Sequence, residues 1–145
     1  MEMNKYLNYK EQLKRLMLAL KNEFLLEAIF IEYSILEDRT DSLLSRCLGA
    51  EKALKRNKIT PRINKMRALI GDKKYNINKY ISLSLLDDTI EWINNRNSLM
   101  HALMKRNNSY DELKAIADTG YKLVKIFNSK STSFKRNFEK HFLNM

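Results

Sequence analysis

Residues 80–104 read YISLSLLDDTIEWINNRNSLMHALM, and their spacing decides the fold class. Leu86, Ile90, Ile93, Asn97, Met100 and Met104 recur at alternating intervals of four and three. That period is one face of an α-helix. The seam is apolar except for Asn97, the kind of lone polar residue that sets register where helices meet. The run predicts a helix from near Tyr80 to about Met104.

The pattern extends in both directions. Downstream, Ser109, Tyr110, Asp111 and Glu112 form a Ser-x-x-Glu capping box, a helix start signal. Leu113, Ile116, Ala117, Tyr121, Val124 and Phe127 give that helix its inner face. The polar stretch Ser129 to Ser133 predicts its end, with a last short helix from Phe134 to Phe142. Upstream, Thr60 and Pro61 read as an N-cap followed by proline in the first turn. Ile63, Met66, Leu69 and Ile70 follow at helical spacing, Gly71 stops the run, and residues 72–79 read as a basic loop. From about Asn4 to Gly49 the pattern predicts two helices, the second capped by Asn22 and stopped by Gly49. The first has a stripe of Leu13, Leu16, Met17 and Leu20. The second turns Phe24, Leu25, Ala28, Ile29, Ile35, Leu36, Leu43 and Leu44 inward. That is more of its circumference than a surface helix needs, and marks a central helix or one that meets a second subunit.

Composition agrees. Three Gly and one Pro in 145 residues leave little material for the turns of a β fold, and 44% hydrophobic residues exclude a disordered tail. With no linker and no internal repeat, the expectation is one all-α domain over residues 1–145, an antiparallel bundle of roughly four to six helices. Cys47 has no second cysteine to pair with, which suits a reducing cytoplasm. The N-terminus, with Glu2 early and no uninterrupted apolar core, does not read as a signal peptide. Phe24 to Leu36 is broken by Glu27 and Glu32 and is too short to span a membrane.

Charge is unevenly placed. The chain carries +10 overall, and residues 51–80 hold ten Lys or Arg against Glu51 and Asp72. Residues 1–50 sum to −1 and residues 81–110 to zero. A segment this basic attracts polyphosphate by releasing its counterions, with Lys55, Arg56, Lys58, Arg62, Lys65, Lys73 and Lys74 as the expected RNA-binding set. Tyr75 and Tyr80 flank the loop and are available for base stacking.

Chemistry concentrates at histidine. The chain has two, and each follows an Arg-Asn pair: Arg96-Asn97-x3-His101 and Arg136-Asn137-x3-His141. Asn follows four of the nine arginines, so local context separates the copies. The first lies on the patterned helix, with Leu99 and Met100 before the histidine and Ala102 after it. The second carries Glu139 and Lys140 before its histidine and reads as surface. No Gly-rich phosphate loop, His-Glu-x-x-His pair or calcium loop is present, and one Cys with two His cannot build a zinc site of four Cys/His ligands.

Arg96-Asn97-x3-His101 resembles the signature of the HEPN superfamily, Arg followed after four to six residues by His, often with a polar residue directly after the Arg. The helix-rich chain, the long apolar second helix and one more helix behind the motif agree with it. Glu32-Tyr33-Ser34-Ile35-Leu36-Glu37-Asp38-Arg39 looks like the second helix of such proteins, where an acidic residue approaches the site. The resemblance implies a metal-independent, cofactor-free endoribonuclease with toxin, phage-defence or RNA-processing roles, and a site built across a homodimer interface. It also implies RNA as substrate and an antitoxin or regulatory protein as a further partner. Arg96, Asn97 and His101 would be catalytic, with a supporting acid among Glu37, Asp38 and Glu91. Imidazole suits proton transfer near neutral pH, and the guanidinium is a permanent fork for phosphate oxygens. Some members carry Tyr two residues after the histidine as a modification target; Leu103 stands there instead. The alternatives are a catalytically silent HEPN-like module that binds RNA, a nucleotide or a protein, and a helical scaffold.

Overall fold

The computed structural model describes residues 2–49, 58–105 and 108–143, excluding the side chains at 2, 3, 5, 6 and 141–143. Five α-helices form among the described residues: α1 Glu2–Lys21, α2 Leu25–Leu48, α3 Ile59–Ile70, α4 Leu83–Ala102 and α5 Tyr110–Leu143. A single 3₁₀ turn, Ile77–Lys79, precedes α4. None of these helices is long and apolar enough to cross a membrane.

Local chemistry sets most boundaries. Ser82 caps α4, its hydroxyl accepting from the Leu85 amide at 3.0 Å, and Ser109 accepts from the Glu112 amide at 3.1 Å as the capping box predicts. Gly49 closes α2 in a left-handed conformation (φ 88°), its amide donating to the Ser45 carbonyl. Asn22 behaves differently from expectation. Its carboxamide donates back to the Leu18 carbonyl at 2.9 Å, so it closes α1 rather than opening α2, and Glu23 turns the chain at φ 59°. At α3 the cap is Lys58, which places Thr60 and Pro61 inside the first turn.

The chief difference lies at the C-terminal end. α5 is one helix of 34 residues, with no break at Ser129–Ser133. Neither Gly nor Pro interrupts that stretch, and Phe127 and Phe134, seven residues apart, are both buried on one face. Core burial on each side carries the helical phase through weak helix formers.

Pairing follows from numbered contacts. Tyr110 donates to Glu23, Gly120 lies against Glu32, and Arg46 pairs with Glu139, so α2 and α5 run parallel rather than in the expected antiparallel sense. α4 runs antiparallel to α5: the Trp92 indole donates to the Ile116 carbonyl at 2.8 Å, while Tyr80 meets Phe134 edge-on at 5.7 Å. α2 is the central helix, burying Leu25, Ala28, Ile29, Ile31, Ile35, Leu36, Leu43 and Leu44. Phe24 and Met17, expected inward, are exposed.

Candidate active site on α4

The buried face of α4 is turned from the seam expected of it. Leu85, Thr89, Trp92 and Leu99 point inward, at spacings of four, three and seven, and Leu86 and Ile93 flank them. Arg96 occupies the missing step of that stripe. A guanidinium on a buried stripe needs a partner of matching shape, and Tyr33 of α2 supplies one: the guanidinium carbon lies 4.0 Å from the ring centroid. One arm, Nη1, donates to Asn97 Oδ1 at 3.0 Å. The Nε is buried and has no hydrogen-bond partner among the described residues. Arg96 is thus held in place by its stem, ring contact and neighbour.

His101 lies in the last turn of α4 and is exposed. Asn97, one turn before it, is half-buried. On a straight helix Arg96 and His101 point about 140° apart and are about 7.5 Å apart along the axis, whereas Asn97 and His101 share a face. The motif therefore presents one imidazole to solvent beside an arginine committed to α2.

Apolar surface borders this region. Leu26, Phe30 and Tyr33 form one stripe of α2 at spacings of four and three; Leu26 and Phe30 are exposed, Phe30 at 64%. Met100, one turn after Arg96, is half-buried, and Met104, another turn on, is 97% exposed. The expected seam of α4 accordingly divides: Leu86 and Ile93 enter the core, while Met104 faces solvent.

The three candidate acids are dispersed. Glu91 is exposed on α4. Asp38 pairs with Arg39, whose Nε donates at 3.2 Å. Glu37 lies one turn beyond Tyr33, and its backbone carbonyl accepts from Arg62 Nη1 at 3.2 Å. The acid that sequence reasoning passed over is Glu32. It is 0% exposed and neither carboxyl oxygen has a hydrogen-bond partner among the described residues. Burial, with the charge of Asp118 second, pushes its pKa up to about 9, so its carboxyl stays protonated at neutral pH. Gly120 makes the room: a methyl group there would collide with the Glu32 carboxyl and lie 2.7 Å from Trp92 Cζ2. A lone glycine inside an otherwise regular helical pattern was the available signal for this close approach.

The basic set is also divided. Lys55 and Arg56 lie outside the described residues. Lys58, Lys73 and Lys74 are exposed and Lys65 is half-buried. Arg62 is turned inward, only 7% exposed, tying α3 to α2 through the Glu37 carbonyl and, at 3.9 Å, Asp41; it is not part of the basic surface it was expected to join. Lys73, Lys74 and Lys79 surround a cleft of about 480 Å³ with Tyr75, Tyr80 and Phe138 in its walls. Asn137 of the second Arg-Asn-x3-His copy lines it as well; the His141 side chain lies outside the described residues. This cleft is at the N-terminal end of α4, about 30 Å along the helix from His101. In a single chain the basic cleft and the imidazole are at opposite ends of the bundle.

Among the described residues no three His, Cys, Asp or Glu side chains are grouped to share a metal ion. The fold and this surface define an all-α helical bundle with an exposed imidazole in the last turn of α4. No protein-family model matches the chain, and neither a curated protein nor a solved structure shows significant similarity to it.

Proposed function

We propose that the chain is a metal-independent endoribonuclease of HEPN type, acting as a homodimer with Arg96, Asn97 and His101 of both copies in one cleft. The observation that carries this reading is the succession along α4 of an ordered guanidinium, a half-buried carboxamide and an exposed imidazole, with Leu26 and Phe30 exposed on the α2 stripe that carries Tyr33 and Met104 exposed just past α4. Exposed apolar residues clustered at a polar site are what an interface between chains leaves on the isolated protomer. A two-fold axis there brings two imidazoles and two guanidinium groups together, each patch meeting its own copy.

In the proposed reaction an RNA 2′-OH attacks the adjacent phosphorus while one His101 takes its proton. The bond to the 5′-oxygen breaks, the second His101 returns a proton to that oxygen, and a 2′,3′-cyclic phosphate and a 5′-OH result. Arg96 stabilises the extra negative charge on the phosphate oxygens, and Asn97 holds the Arg96 fork. The 2′-OH requirement restricts cleavage to RNA.

The test is cleavage of mixed RNA in EDTA by the full chain, beside Arg96→Ala and His101→Ala, with oligomeric state measured by sedimentation. Expected are cyclic-phosphate ends, a dimer, and a loss of about a hundredfold or more in each variant. Activity retained in both variants, or abolished by EDTA, overturns the reading. The second reading, a non-cleaving RNA-binding module, is favoured by the distance between the Lys73–Lys79 cleft and His101. It predicts salt-sensitive RNA binding without new ends, lost in Lys74→Glu with Lys79→Glu. An antitoxin or other regulatory protein, and a cytoplasmic location, belong to the first reading and follow from its toxin or defence role.

A further inference from the structure

A second cleft, of about 640 Å³, opens between α1, the C-terminal half of α2 and the C-terminal half of α5, away from His101. Its volume is in the range of small-molecule sites. Lys10, Arg39, Arg46 and Lys135 line it, and no carboxylate does among the described residues. Two carboxylates stand behind the cations: Asp38 pairs with Arg39, and Glu139 with Arg46 at 3.0 Å. Lys10 and Lys135 form no ion pair among the described residues, so the cleft retains two uncompensated positive charges.

Its donors are similarly underused. The Tyr9 hydroxyl and Ser131 Oγ are buried and lack hydrogen-bond partners among the described residues, and both residues line this cleft. Burial pushes the Tyr9 phenol up to about 12 against the opposing pull of Arg39, so it remains a proton donor. The Arg39 guanidinium sits 4.6 Å from the Tyr9 ring centroid, which fixes its plane before any ligand arrives. Leu13, Leu43 and Phe134 add an apolar wall. Two spare charges and an ordered guanidinium match a group of nearly two negative charges with three acceptor oxygens. A phosphodiester strand carries one charge per phosphate, which leaves one of the two spare cations unmatched at each phosphate.

We propose that this cleft binds a small phosphomonoester, its phosphoryl group between Lys10, Arg39 and Lys135 and its apolar body against Leu13, Leu43 and Phe134. The site is separate from the α4 motif and stands whether or not the chain cleaves RNA.

The experiment is amide-resolved NMR titration of the full chain with phenyl phosphate. Parallel arms use inorganic phosphate, phenol and an RNA oligonucleotide without terminal phosphates. Phenyl phosphate is expected to shift the amides of Ser42, Asn128, Ser131 and Thr132 and to saturate near about 1 mM. Inorganic phosphate shifts the same amides more weakly, and phenol does not shift them. Lys10→Glu and Lys135→Glu, both at exposed positions, are each expected to weaken binding about tenfold while the far-ultraviolet circular dichroism is unchanged. The proposal is overturned by absence of saturation up to about 20 mM, by binding that survives both charge reversals, or by phenol binding equally well. It is also overturned if the oligonucleotide occupies the cleft more tightly than phenyl phosphate, which would make it a polynucleotide surface.

Discussion

Glu32 gives the most direct test of the fold. Its carboxyl is wholly enclosed beneath Gly120 and beside Trp92, unpartnered among the described residues, and its pKa is raised to about 9 from 4.5, chiefly by burial and then by Asp118. Unfolded, the same carboxyl loses its proton near 4.5. Between these values the folded chain binds one proton more than the unfolded chain, so stability falls as pH rises. The contribution is fully present below about 4.5 and lost progressively up to about 9. One proton corresponds to about 1.4 kcal/mol per pH unit, or about 3 kcal/mol between about pH 6 and about pH 8. In Glu32→Gln the shape is kept and the titration removed. Urea unfolding of both proteins across that range should therefore show their stability difference moving in favour of the variant by about 3 kcal/mol. Other groups titrate equally in both and cancel in the comparison. If the two stability curves run parallel with pH, Glu32 is not held protonated and the account of this buried carboxyl is wrong.

Further outcomes follow from the same region. Gly120→Ala drives a methyl group into the Glu32 carboxyl and Trp92 and should lower stability by about 1–3 kcal/mol, read as a lower urea midpoint at unchanged slope. Trp92→Phe leaves the Ile116 carbonyl without its 2.8 Å donor and removes part of a fully packed indole, a loss of about 2 kcal/mol by thermal or urea unfolding. Arg96→Lys retains the charge but not the planar contact with Tyr33. It should cost about 0.5–1 kcal/mol of stability and, on the proposed function, reduce RNA cleavage far more than it reduces folding. Measuring both on one preparation separates the structural part of Arg96 from the chemical part.

Arg96 shows how one side chain serves both ends. Leu85, Thr89, Trp92 and Leu99 are the buried stripe of α4, which packs on α3 and α5, and Arg96 falls on that stripe. Packing on Tyr33 then fixes the guanidinium, while His101, five residues on, emerges where α4 ends. The cation is rigid and the imidazole accessible for the same reason, their positions on a helix of fixed pitch. On the proposed function a second copy completes the site, since one protomer points the two groups apart.

The basic segment illustrates the opposite case. Its ten cations share one stretch of the sequence, but those among the described residues do not share one surface. Arg62 is drawn inside by the Glu37 carbonyl, and Arg67 is matched to Asp87 at 2.6 Å. Lys73, Lys74 and Lys79 gather with Tyr75 and Tyr80 at the end of α4 remote from His101. Net charge by segment reports how many cations there are, and burial decides which of them reach solvent.

What the sequence by itself determined is the local order. The helical class, the start signal at Ser109, the stops at Gly49 and Gly71 and the placement of Arg96-Asn97-x3-His101 on one helix all depend on contacts within about four residues, which spacing and residue type encode directly. The tertiary structure alone decided that α2 and α5 run parallel, that α5 continues through Ser129–Ser133, that Arg62 turns inward and that Glu32 is enclosed under Gly120. Those outcomes are set by partners between 25 and 93 residues away, as in the Arg62–Glu37 and Arg46–Glu139 contacts. Burial can override a local preference only when such distant surfaces come together, and no window along the chain contains both of them.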